Sequence, residues 1–174
     1  MIIVRNMGIA GFVATVLAAS PAVAATVQVA FKDADKFTDF GDTARVVPDA
    51  RRNAMLGELR AHVQKRAAGR IPEKTQLIVT VTDIDMAGGF ETARGPKADH
   101  VRIYRDGYPP RIKLEFTLTD FTGKVVKEGK RELTDAAYLK TSVEYRNDPL
   151  RYEKKLIDDW VAREFSERPG GDRR

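Results

Sequence analysis

The sequence predicts an α+β fold: a two-layer sandwich with a mainly antiparallel sheet of about five strands and two helices on one face, in the order β-α-β-β-β-β-α. Three observations predict it. Arg111–Thr119 alternates Ile112, Leu114, Phe116 and Leu118 against Lys113, Glu115 and Thr117, the period of a strand with one buried face. Leu56, Leu59, Val63 and Ala67 follow at spacings of three, four and four, and Leu156, Ile157, Trp160, Val161 and Phe165 make a second helical stripe. Each helix is apolar on one stripe and the hairpin strands on one face, so the economical packing puts both helices on the same side of the sheet.

Taken in order, residues 1–24 read as a cleavable secretory signal peptide. Arg5 supplies the positive region, Met7–Ala19 the apolar region, and Ser20-Pro21 breaks the helix before Ala22-Val23-Ala24, the small residues of a cleavage site. Met7–Ala19 at about 1.5 Å per residue reaches roughly 20 Å, short of the roughly 30 Å hydrocarbon core, so no transmembrane anchor is expected. The localisation expected is therefore periplasmic. Residues 25–165 make a single domain and residues 166–174 a flexible tail, with Pro169-Gly170-Gly171 among charged residues.

Thr26–Phe31 alternates as a half-buried strand, and the polar run 32–47 is a loop whose Phe37 and Phe40 fold back onto the core. Pro48-Asp49 opens the first helix and Gly69 stops it. Gln76–Asp85 is the strongest strand, with Leu77, Val79 and Val81 on one face and Ile78, Thr80 and Ile84 on the other, a pattern that places it centrally in the sheet. Met86–Asp99 is a long irregular loop and Val101–Tyr104 a short strand. Asp120-Phe121-Thr122-Gly123 turns the hairpin, with glycine where positive φ is needed, and Gly129 in the returning strand Lys124–Leu133 marks a bulge. Asp148-Pro149 opens the last helix, aspartate as its N-cap.

The 150 residues after the leader are enough for one core that buries about 68–70% of its unfolded surface. The chain has no cysteine, which excludes disulfides, thiolate catalysis, cysteine-ligated metals and N-terminal lipidation. Of 30 basic residues only Arg5 is in the leader, leaving 29 against 25 acidic residues, a net charge of +4. The two signs interleave with no long basic block, which argues against a nucleic-acid partner.

The chemistry-bearing candidates are few. Thr82-Asp83-Ile84-Asp85-Met86-Ala87-Gly88-Gly89-Phe90-Glu91 ends a strand in two carboxylates on one side, Asp83 and Asp85, with Glu91 beyond a Gly-Gly loop. Such oxygens could hold a hard cation, but the spacing of an EF-hand is absent, and aspartates at strand ends commonly accept backbone N–H bonds that close turns. Thr-Asp recurs at Thr38-Asp39, Thr82-Asp83, Thr119-Asp120 and Thr134-Asp135, each beside an element end, which reads as separate turn chemistry. The two histidines, His62 and His100, have no local partners for a zinc site, and there is no Gly-x-Ser-x-Gly elbow. Arg102, Tyr104, Tyr108 and Arg111, with Arg105 and Lys113 nearby, make the best candidate patch for an anionic ligand or an acidic partner, and with the strand-end carboxylates Asp83, Asp85 and Glu91 they form the candidate contact surface.

Five motifs in order also carry a resemblance: Phe37-Thr38-Asp39; Thr82 through Gly88; Pro110-Arg111-Ile112; Leu133-Thr134-Asp135 with Tyr138; and Tyr152-Glu153 with Trp160. Across essentially the whole chain after the leader, this set resembles the proteobacterial secreted family catalogued as domain of unknown function 3016. Met86 stands where the family pattern has leucine. The resemblance implies a bacterial envelope protein and brings no catalytic residues with it. The reading that results is a non-catalytic binding or accessory module without a cofactor, meeting an envelope protein or an anionic ligand. The alternative is a small metal-dependent or acid/base hydrolase using Asp83, Asp85 and Glu91. The two differ in whether those carboxylates converge in a concave pocket or are tied to backbone amides.

Overall fold

The computed structural model describes residues 24–40, 48–90, 102–141 and 144–166; residues 1–23, Glu91, His100 and residues 167–174 lie outside these. The elements are β1 (Thr26–Phe31), a 3-10 turn (Ala34–Lys36), α1 (Asp49–Ala68), β2 (Gln76–Asp85), β3 (Gly89–Phe90), β4 (Arg102–Ile103), β5 (Arg111–Thr119), β6 (Val125–Thr134) and α2 (Arg151–Glu164). The main sheet has four strands in the order β1-β2-β5-β6. β1 runs parallel to β2, which makes β1-α1-β2 a crossover unit, and the other two pairings are antiparallel. The α+β architecture is the one the sequence predicts. Its fifth main-sheet strand is absent because β4, only two residues long, pairs with β3 in a separate ribbon.

Both helices cover the same sheet face. Leu56, Leu59, Val63 and Ala67 of α1 and Leu156, Ile157, Trp160 and Val161 of α2 form one core with the inward side chains of β2 and β5, so both predicted stripes are the buried ones. Phe37 and Phe40 close this core at the upper end of the sheet, as expected for a loop that folds back. No helix among the described residues is long and apolar enough to cross a membrane.

Three local expectations are corrected. The register of β2 against β5 shifts between Val81 and Asp83, so Thr82 is an extra residue in the ladder. A bulge of that kind reverses the alternation; Ile84 therefore joins Leu77, Val79 and Val81 on the buried face, and Asp83 and Asp85 face outward opposite Lys113 and Arg111. In β6 the irregularity falls at Val126, whereas Gly129 pairs regularly with Phe116. Helix α2 begins at Arg151, and Asp148 accepts the N–H of Leu150 ahead of it at 2.8 Å. The β5–β6 turn is as predicted, with Gly123 at φ 83°.

A polar cluster joins the two helices. Asp158 Oδ1 accepts from His62 Nε2 at 2.7 Å and Arg66 Nε at 2.6 Å, and its Oδ2 accepts the Tyr145 hydroxyl at 2.9 Å. Burial first, then hydrogen bonding to the Asp158 carboxylate, pushes the Tyr145 phenol from 10.0 up to about 12. Folding thus favours the neutral phenol; its contribution is intact below pH 10 and is lost as pH rises towards 12. Urea denaturation across that window should show a steeper alkaline loss of stability in the wild type than in Tyr145→Phe. Parallel curves would mean that the phenol does not face Asp158.

Candidate functional site

The upper end of the sheet, where β2 runs out, gathers most of the residues singled out from the sequence. The segment Met86-Ala87-Gly88 leaves β2 with three consecutive N–H groups that no strand can pair, and each must find an acceptor. They find three, on three different elements. Met86 N–H donates to Asp39 Oδ2, Ala87 N–H to Glu153 Oε1 at 2.8 Å, and Gly88 N–H to the Tyr108 carbonyl at 2.9 Å.

The carbonyls of the same three residues turn towards one cation. Arg102 Nη1 lies 3.2, 3.1 and 2.8 Å from the carbonyl oxygens of Met86, Ala87 and Gly88, and its two protons are shared among these and Asp39 Oδ2 at 3.1 Å. Arg102 Nη2 donates to Asp39 Oδ1 at 3.0 Å, so the pair is bidentate, the geometry that a planar guanidinium and a carboxylate favour. Both side chains are largely buried, at 17% and 12% exposure. Gly88 is needed for this arrangement. Its φ is 80°, and a Cβ there would stand 2.8 Å from the Ile103 carbonyl oxygen.

The predicted carboxylates have separate roles. Asp83 accepts from Thr38 N–H at 2.9 Å and Thr38 Oγ at 3.0 Å, with Lys113 Nζ at 3.7 Å. Two of the four Thr-Asp pairs, Thr38-Asp39 and Thr82-Asp83, thus meet in one structure. The other two do act as turns: Asp120 accepts from Thr122 and Lys124, and Asp135 from Ala137 and Thr141. Asp85 lies 3.9 Å from Arg111, which also reaches Glu132 at 3.3 Å. Burial, and then the neighbouring Asp39 charge, hold the Asp85 carboxyl above its ordinary value. Glu91 lies outside the described residues. No group of three or more histidine, aspartate or glutamate side chains among the described residues is placed to hold a metal ion. A groove of about 260 Å³ opens beside this knot, walled by Phe40, Met55, Met86 and Phe90, and neither Asp83 nor Asp85 lines it.

Above the knot lies an exposed aromatic ledge. Phe90 stacks on the Arg102 guanidinium at 4.7 Å, Tyr108 lies against Gly89, and Arg151 sits 5.1 Å from the Tyr104 ring and 4.5 Å from that of Tyr152. Tyr138 is buried beneath, edge-on to Tyr152 at 4.8 Å, and donates its hydroxyl to the Arg105 carbonyl at 2.9 Å. Phe90, Tyr104 and Tyr108 remain 41%, 37% and 39% exposed. Of the predicted contact residues, Tyr104, Tyr108 and Arg111 are at the surface, Arg102 is turned inward to anchor the loop, Asp83 and Asp85 are engaged with Thr38 and Arg111, and Glu91 lies outside the described residues.

Residue-level chemistry missed Asp39, Arg151 and Glu153 as members of the site; Asp39 and Glu153 nevertheless fall within the motifs that carry the family resemblance. Glu153 is 1% exposed, and its Oε2 has no hydrogen-bond partner among the described residues. Burial raises its carboxyl above the ordinary 4.5 despite the Ala87 N–H bond and the Arg102 charge. A folded value raised in this way adds stability below the ordinary value and loses it as pH rises. Glu153→Gln, which keeps an oxygen for Ala87 and cannot ionise, should therefore melt above the wild type at neutral pH. That difference should vanish as the pH approaches 4.5. A variant that melts lower at neutral pH would show that Arg102 needs the Glu153 charge.

Among curated proteins, none matches this sequence. Among solved structures, the chain is similar to a variant PelC dodecamer from Paraburkholderia phytofirmans at 16% identity and a TM-score of 0.36, over 87% of this chain and 95% of that one. The sequence profile described as "Protein of unknown function (DUF3016)" matches residues 25–163 and so takes in every strand and nearly all of both helices: the chain belongs to that family.

Proposed function

We propose that this chain is an exported, non-catalytic binding module of the bacterial envelope, and that its contact surface is the ledge of Phe90, Tyr104 and Tyr108 with Arg105, Arg111 and Arg151. One observation carries the reading. The polar groups under the ledge are spent on holding it: Asp39, Arg102, Asp83 and Glu153 bind loop backbone or each other, and three large aromatic rings are kept exposed above them. Fixed aromatic rings beside arginine have the composition of interaction hot spots, because they bring large contact area at little entropic cost. The leader pattern of residues 1–24 supports export, and the cationic rim favours a partner with an acidic segment.

The test is site-specific photocrosslinking in cells from position 104 or 108, with position 28 on the opposite, open sheet face as reference. A discrete adduct from the ledge positions, with the position-104 adduct lost on adding Tyr108→Ala while the melting temperature holds, is the expected result. Equal crosslinking from all three positions would remove the ledge as a contact surface. Turnover of an envelope substrate that depends on Asp83 and Asp85 would replace the reading with the hydrolase.

A further inference from the structure

The opposite end of the sheet presents a different surface. Phe121, at the tip of the β5–β6 turn, is 80% exposed, far more than any other large apolar side chain described. The turn that carries it is closed by hydrogen bonds. Asp120 Oδ1 accepts from Thr122 N–H at 2.8 Å, Thr122 Oγ at 2.6 Å and Lys124 N–H at 3.1 Å, and Asp120 N–H donates to the Lys124 carbonyl. Ile78, Val125 and Val126 are also exposed and lie in the strand segments that lead to this tip.

Behind Phe121 opens a cleft of about 670 Å³, with Lys74 and Thr75 on its wall. Neither Lys74 nor Lys124 forms an ion pair with a carboxylate among the described residues, while two of the local acids are occupied: Asp120 by the turn and Glu164 by Arg131 and Lys127. Glu73 and Glu128 are exposed at the same end and carry the opposite sign.

We infer that the β5–β6 hairpin tip is a peripheral contact for an anionic lipid bilayer, with Phe121 entering the headgroup boundary and Lys74 and Lys124 meeting lipid phosphates. A protruding aromatic ring flanked by lysines suits the interface between headgroups and acyl chains. The most exposed apolar side chain here is one ring at a turn tip, whereas stable protein contacts bury about 1,200–2,000 Å². The inference is independent of the ledge, which lies at the far end of β2 and β5.

The experiment is co-sedimentation of the full chain with vesicles of phosphatidylethanolamine and phosphatidylglycerol, and with phosphatidylcholine vesicles. The leader is common to every variant, so differences between variants isolate the tip. The wild type should partition to the anionic vesicles, more weakly at high salt, and Phe121→Ser should lose about tenfold. Lys74→Glu and Lys124→Glu should each lose about fivefold or more. Phe121→Trp should partition at least as well as the wild type, with blue-shifted emission on binding. Equal partition of wild type and Phe121→Ser would overturn the inference. So would self-association that Phe121→Ser abolishes without any vesicle binding, an outcome that gives the tip to a second copy of the chain.

Discussion

Asp39→Ala should cost about 3–5 kcal/mol of stability, the usual loss when one partner of a buried ion pair is removed. The loss has two origins that add at the same place. Arg102 keeps its charge in a largely buried position with three carbonyls as its remaining hydrogen-bond acceptors, and Met86 N–H loses its acceptor. Both errors fall on the segment that links β2 to the β3–β4 ribbon, so the damage should be larger than a surface ion pair would give. Arg102→Lys should recover little, because an ammonium cannot bind both Asp39 oxygens while reaching three carbonyls. Urea denaturation of the two variants checks this. A loss below about 1 kcal/mol for Asp39→Ala would mean that the pair behaves as an exposed one.

Trp160→Ala should destabilise the fold by roughly 3–5 kcal/mol, the range for emptying a large aromatic site. Trp160 is 2% exposed and meets Phe116 and Phe165 edge-on at centroid separations of 5.8 and 5.7 Å, joining α2 to β5. Against a total stability of about 5–15 kcal/mol, that loss leaves a marginal protein. Trp160→Phe should cost much less. The indole Nε1 is buried with no hydrogen-bond partner among the described residues, so phenylalanine keeps most of the ring contact and removes an unsatisfied donor. A similar loss in both variants would show that the indole nitrogen has a partner in solution.

The regular elements were legible because periodicity reports which face is buried. The α1 stripe of Leu56, Leu59, Val63 and Ala67 and the β5 alternation are the buried sets. Counting by twos fails where the chain inserts a residue. Ile84 follows Thr82 in perfect alternation, and only the pairing with β5 shows that Thr82 is bulged and Ile84 inward. Strand partners are not written in a strand either: β1 looks the same from sequence whether its neighbour runs parallel or antiparallel, although the intervening helix α1 allows the parallel crossover. The site was half legible. The motif around Asp83 and Asp85 is a true focus of structure, but the groups that close it, Asp39, Arg102 and Glu153, come from segments far apart in sequence, and nothing local in any of them signals the others. The two Thr-Asp pairs that meet are indistinguishable in sequence from the two that only make turns.

The central claim is that the strand-end carboxylates are structural partners of neighbouring segments and not ligands of a cation. Asp83 binds Thr38, and Asp85 faces Arg111. The most direct measurement is the melting temperature with saturating calcium or magnesium, with chelator, and in Asp83→Asn and Asp85→Asn. A cation ligated by these oxygens would, at a hundredfold excess over its Kd, add about 2.7 kcal/mol. The account predicts identical wild-type melting with metal and with chelator, and a loss of about 1–3 kcal/mol in Asp83→Asn from weakened bonds to Thr38. A melting temperature that climbs with added metal and loses that response in Asp85→Asn would contradict it.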